Sequence, residues 1–156
     1  MKKNINAILT LCIVVLAIIC FRSVAAPVSF DNERQKREKE VKKALIHIRT
    51  AELKWQKSHG GRFTDSFDSL RTITADSLEL IPYGDGRKFH LQTNTTSKDG
   101  KLVYLFECSA TISDYMNDWD NSQISEAQAK ATDAGRFAGL KVGDLQNISN
   151  NAGNWE

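Results

Sequence analysis

At 156 residues, with 41% hydrophobic and 26% charged, the chain carries a formal net charge of +2. So near a balance, it offers no general electrostatic reason to expect a nucleic-acid partner. The length holds one domain beyond an N-terminal apolar stretch; two of the three cysteines, Cys12 and Cys20, lie in that stretch, so Cys108 has no partner for an internal disulfide.

Residues 1–26 read as a membrane anchor. Met1, Lys2 and Lys3 form a basic head, and residues 5–21 are apolar apart from Asn6 and Thr10. Seventeen helical residues rise about 26 Å, close to a hydrocarbon core of about 30 Å. With Arg22 snorkelling, Val24, Ala25 and Ala26 extend the segment to residues 5–26. The alternative is a signal peptide cut after Ser23-Val24-Ala25 or Val24-Ala25-Ala26. Neither Cys12 nor Cys20 follows a small residue, as a lipoprotein signal requires. Lys2 and Lys3 precede the span, whereas Arg22, Arg34, Lys36, Arg37, Lys39, Lys42 and Lys43 follow it. Counted by the positive-inside rule, these charges put the following domain in the cytoplasm; the interleaved Asp31, Glu33, Glu38 and Glu40 soften that count.

Residues 27–156 are expected to form one α+β domain: a long helix over 31–59, a short helix over 64–72, antiparallel strands within 77–109, and a helix and irregular tail over 112–156. In the long helix Val41, Ala44, Leu45, Ile48, Ala51 and Trp55 recur at helical spacing and form one apolar stripe. Val41, Leu45, Ile48 and Trp55 are its core-facing residues, and Lys42, Lys43, Arg49, Glu52, Lys54 and Lys57 are assigned to the opposite face. About two apolar heptads are too few for a coiled coil. Gly60-Gly61 ends the helix. Thr64 is the expected N-cap of the short helix, with Phe67 and Leu70 turned inward.

Leu78 and Leu80 then alternate ahead of a turn at Gly84-Asp85-Gly86, and Phe89, Leu91 and Thr93 alternate in the following strand. Residues 94–100 read as a polar loop, with Asp99-Gly100 as its turn. Residues 101–109 are apolar on nearly both faces, which marks a central strand. Three such strands need a cover, and the 41–55 stripe is the obvious one. A weak helical stripe runs through Ile124, Ala127, Ala131 and Ala134. Leu140 and Val142 suit an edge strand, and the terminal Trp155 is expected to tuck into the domain or serve as a recognition tag.

The chemistry-bearing residues are sparse. His47, His59 and His90 fit no metal spacing, and Cys108 lies in an apolar strand that favours packing. No Cys-x-x-Cys, His-Glu-x-x-His, Gly-x-Ser-x-Gly or phosphate-cradling glycine loop occurs, so nothing gives a reason to propose an enzyme. Asp114, Asp118 and Asp120 gather oxygen ligands of the kind calcium uses, though not in the EF-hand pattern. They make a calcium- or ligand-binding sensing module the second functional reading.

The run 51–57 (Ala-Glu-Leu-Lys-Trp-Gln-Lys) followed by 59–70 (His-Gly-Gly-Arg-Phe-Thr-Asp-Ser-Phe-Asp-Ser-Leu) resembles the helix end, Gly-basic-aromatic turn and short polar helix of type IV pilins and type II secretion pseudopilins. Over most of its length the chain is also similar to a group of uncharacterised membrane-anchored bacterial proteins. The features shared with that group are the basic 34–43 stretch, Phe67-Asp68-Ser69-Leu70 and the ending Gly139-Leu140-Lys141-Val142-Gly143 with Asn150-Asn151-Ala152-Gly153-Asn154-Trp155-Glu156, and it has no activity to carry over. The resemblance implies a pilin-like head in the periplasm on a single-pass inner-membrane anchor, acting with a protein partner in the envelope and without enzymatic activity. It also lends the acidic loop its calcium reading, since major pseudopilins carry calcium near their C-terminus. A prepilin has a glycine before its apolar helix and a glutamate just inside it. Here no glycine precedes Gly60 and no acidic residue precedes Asp31, so the resemblance implies a fold rather than polymerisation. The sequence leaves the oligomeric state open.

Overall fold

The computed structural model describes residues 2–148 and 151–156, and their side chains at 8–21, 28–148 and 151–156. The elements run α1 (Lys2–Ser58), α2 (Phe67–Thr74), β1 (His90–Lys98), β2 (Lys101–Thr111), α3 (Ile112–Tyr115), α4 (Asn121–Asp133) and β3 (Gly139–Gly143). The chain divides into two compact units, Met1–Gln35 and Lys36–Glu156.

In the first unit the backbone is helical from Lys2 onward. Ten large apolar side chains between Ile8 and Phe21 are exposed, from 46% at Val15 to 76% at Phe21. Asp31 pairs with Arg34 at 3.5 Å. Among the described residues no helix is long and apolar enough to cross a membrane. The flanks of the expected span at 5–7 and 22–26, including both cleavage sequences, lie outside the described side chains.

The second unit is a mixed α+β head: the C-terminal part of α1 and an antiparallel three-stranded sheet in the order β1-β2-β3. Val41, Leu45, Ile48 and Ala51 are completely buried. Burial of a Leu, Ile or Val side chain stabilises by about 1.5–3 kcal/mol, which is what fixes this face inward. Trp55 departs from the expected stripe: it is half-buried and stacks on His59, with ring centroids 3.5 Å apart and planes 6° apart. β2 is the central strand, and its C-terminal half carries the burial through Leu105, Phe106, Cys108 and Ala110, whereas Leu102 is 67% exposed. β1 continues to Lys98 through residues expected to be loop, because Asp99 (φ 52°) and Gly100 (φ 74°) close a two-residue turn at the Lys98–Lys101 pair. Two successive positive φ values match the right-handed twist of a tight hairpin.

The segment around Leu78 and Leu80 does not become a strand of the sheet. Leu80 makes a single bridge to Lys88, and the Phe89 N–H donates to the Glu79 carbonyl at 2.8 Å. Pro82 brings no N–H to a ladder, and Tyr83 and Asp85 adopt φ of 62° and 50°, so the turn opens before pairing can extend. The edge strand suggested by Leu140 and Val142 is β3 and takes the third position, with Cys108 opposite Val142 and Ala110 opposite Leu140. Gly139 and Gly143 frame it, since a Cβ at either would collide with β2 backbone, at Ala110 and Phe106 respectively. The short helix starts at Phe67, not Thr64; Ser66 caps it by accepting from the Ser69 N–H at 3.4 Å, and Leu70 is buried. The weak stripe of the C-terminal region falls on α4, with Ile124 and Ala127 buried and Ala131 and Ala134 not.

Candidate functional site

Two charged side chains of α1 enter the head, fifteen residues apart. Arg37 is 7% exposed. It donates to the Tyr115 carbonyl at 2.9 Å, grips Asp118 with both terminal nitrogens, and lies 5.0 Å from the centre of the Tyr83 ring. A forked guanidinium can hold a carboxylate, a carbonyl and an aromatic face at once, which a lysine cannot. This hydrogen bonding holds the Asp118 carboxyl below its usual range.

At the other point Glu52 is fully buried. Its Oε2 accepts the Thr64 N–H at 3.2 Å and its Oε1 has no partner. Burial pushes its pKa from 4.5 up to about 7, against the Thr64 hydrogen bond and with help from the Asp65 charge. Assignment of Glu52 to the solvent face is therefore corrected. The reason lies in the spacing: 41, 45, 48, 52 and 55 step by 4, 3, 4 and 3, so position 52 lies on the buried stripe whatever residue fills it. Burial also pushes the Cys108 thiol well up, with the Glu52 and Glu107 charges adding to it; Cys108 is a packing residue, as its strand implied.

The three aspartates have separate tasks. Asp114 closes a capping box, accepting from the Thr111 N–H at 2.8 Å and the Thr111 hydroxyl at 2.6 Å. Asp118 holds Arg37. Asp120 caps α4 through the Ser122 N–H at 2.8 Å, and its hydrogen bonds with Ser122 hold it below the carboxylate range. Among the described residues no group of three or more His, Cys, Asp or Glu side chains could hold a metal ion. His47 and His59 are exposed, and His90 lies 3.9 Å from Asp114.

No family model, curated protein or solved structure matches the chain. The site therefore rests on its own geometry.

The C-terminal tail is built in. Gly153 bridges Val142, the Asn154 N–H donates to the Lys141 carbonyl at 3.0 Å, and the Asn154 amide reaches the Gly139 carbonyl at 3.0 Å. Arg49 pairs with Glu156 at 2.9 Å, and Lys42 lies 5.6 Å from the centre of the half-buried Trp155 ring. Arg49 and Lys42 thus also leave the solvent-face role expected of them. The exposed lysines Lys36, Lys39, Lys43, Lys54 and Lys57 share one face of the helix with His47.

Proposed function

We propose that the chain is a membrane-anchored, non-enzymatic structural or interaction component of the bacterial cell envelope, pseudopilin-like in plan, with its head in the periplasm. The observation that supports this reading is the apolar sleeve of residues 8–21. Ten large aliphatic and aromatic side chains are exposed around one helix. Leaving them in water forgoes about 1.5–3 kcal/mol for each that would otherwise be buried, so lipid is their natural solvent. With Arg22 snorkelling, Val24, Ala25 and Ala26 beyond Phe21 bring the run to spanning length. Beyond the anchor, the head would present to a partner the outward lysine face of α1 and the clasped C-terminal tail.

Topology tests the reading. A periplasm-active and a cytoplasm-active reporter, each fused after Glu156, should give a periplasmic signal from a full-length, membrane-bound product. A cytoplasmic signal would show that the basic residues after the span set the orientation, and the pseudopilin plan would fall. A soluble, shortened product would replace the anchor with a cleaved signal.

A further inference from the structure

Beyond that role, the head has an unassigned cavity of about 350 Å³ at the end of α1, lined among others by Arg62, Phe63, Thr93, Thr95, Tyr104 and Leu105. Its size falls at the lower end of small-molecule sites. Two walls are β-sheet: Thr93 pairs with Phe106 and Thr95 with Tyr104 in the β1–β2 register. The third wall is the arm that leaves α1, and its geometry is specified at three points. Gly60 and Gly61 take φ of 65° and 84°, a conformation that costs residues with a Cβ. Phe63 packs on Phe106 with ring centroids 4.7 Å apart. The Thr64 N–H is held by the buried Glu52 carboxylate. A carboxylate buried with one oxygen unpartnered is expensive, and what it does here is fix the backbone two residues beyond Arg62.

Five of the described arginines, Arg34, Arg37, Arg49, Arg71 and Arg87, each lie within 3.5 Å of a carboxylate oxygen; Arg62 and Arg136 do not. Arg62 instead lies 5.5 Å from the centre of the Tyr104 ring at the cavity. No acidic residue lines that cavity; its side-chain polar groups are one guanidinium, neutral hydroxyls and an amide. A guanidinium laid on an aromatic face keeps its in-plane N–H groups for a ligand, and those groups match a carboxylate in bidentate geometry.

We propose that this cavity binds a carboxylate that carries a planar or apolar body, with Arg62 gripping the carboxylate, Tyr104 and Phe63 flanking the body, and the Thr93 and Thr95 hydroxyls at its edge. The carboxylate can belong to a free organic acid or to an acidic side chain of a peptide.

The test is saturation-transfer NMR on the detergent-solubilised full chain with three probes: benzoate, its neutral analogue benzamide, and a blocked peptide with one glutamate. Benzoate or the peptide should bind and benzamide should not, and the tighter of the first two identifies the source. Arg62→Gln should weaken binding about tenfold or more, and Arg62→Lys less, because it keeps the charge but loses the fork. Since Arg62 is exposed, neither variant threatens folding. Glu52→Gln, which still accepts from Thr64, should keep the affinity, and Glu52→Leu should lower it by releasing the arm. Equal binding of benzoate and benzamide, an unchanged affinity in Arg62→Gln, or no binding of either acid would overturn the proposal.

Discussion

The two points where α1 brings charge into the head are built on opposite terms. At Arg37 the buried cation meets a carboxylate, a carbonyl and an aromatic ring, and Asp118 is left 58% exposed so that water still shares its charge. At Glu52 a buried carboxylate meets one backbone N–H, and its second oxygen meets nothing. The first arrangement ties the 115–118 segment to the helix at small electrostatic cost. The second ties down residue 64 while keeping a group that would prefer to be neutral. The same helix face thus carries one contact that stabilises in the charged state and one that stabilises best when protonated, and the two respond to pH in opposite directions.

Between them lies the apolar stripe, and the largest effect is expected there. Leu45→Ala should cost about 2–5 kcal/mol, read as the urea midpoint of Trp fluorescence. A loss below about 1 kcal/mol would mean that Leu45, fully buried, is not a core residue in solution, and the comparison of the two charged points would lose its frame.

The Glu52 point comes next. A carboxyl whose pKa rises from 4.5 to about 7 on folding binds its proton more tightly in the native state. Its contribution is therefore fully present below pH 4.5 and declines as pH rises through 7. Linkage puts the loss at about 3 kcal/mol between pH 4.5 and 8. Glu52→Gln removes that slope and keeps an acceptor for the Thr64 N–H. Denaturation of both proteins at pH 5, 6.5 and 8 should give curves that diverge toward high pH, with the variant the more stable at pH 8. Parallel curves would show that Glu52 ionises freely and is not held in the core.

Much of this plan was legible beforehand, and the failures share a cause. Val41, Leu45 and Ile48 were readable because three aliphatic residues at helical spacing have few alternatives, and Asp99-Gly100 because a tight hairpin needs two residues that tolerate positive φ. Residue type alone places Glu52 on the solvent face, although the 4-3-4-3 stepping of the stripe runs straight through it. Leu140 and Val142 mark the edge strand that forms, whereas the alternation at Leu78 and Leu80 is a local signal that does not lead to a strand. What excludes that segment is Pro82 and the left-handed residues after it, and what admits Gly139–Gly143 is close backbone approach at its two glycines. The aspartate trio reads as a cation loop from its oxygen ligands and from the pseudopilin resemblance. Each carboxylate proved to be committed to a cap or to Arg37, a partner 81 positions away in sequence that no local pattern shows.

Arg37→Ala should act with the opposite sign to Glu52→Gln. It removes charge-assisted hydrogen bonds to the Tyr115 carbonyl and Asp118 and should destabilise by about 1.5–3 kcal/mol at neutral pH. Asp118 is held below its ordinary range by this pairing, so its contribution is present above pH 3.8 and is lost as pH falls through the lowered value. Wild type and variant should converge in acid, where the Glu52 pair is also closest. Full stability of Arg37→Ala at pH 7 would reduce the arginine to a solvated residue and erase the contrast.

The smallest effect belongs to the tail. Arg49 and Glu156 form a partly exposed ion pair, with side chains 22% and 37% exposed, and such pairs contribute about 0–1 kcal/mol. The backbone bonds of Gly153 and Asn154 to β3 remain when the pair is lost. Arg49→Gln should therefore lower stability by less than about 1 kcal/mol, with the difference shrinking at high salt. Gly153→Ala should cost more, because a Cβ there would run into the Trp155 ring. If Arg49→Gln proved the costlier of the two, charge rather than backbone pairing would be what holds the tail. The helix would then have a third electrostatic anchor, of the Arg37 kind, between Arg37 and Glu52.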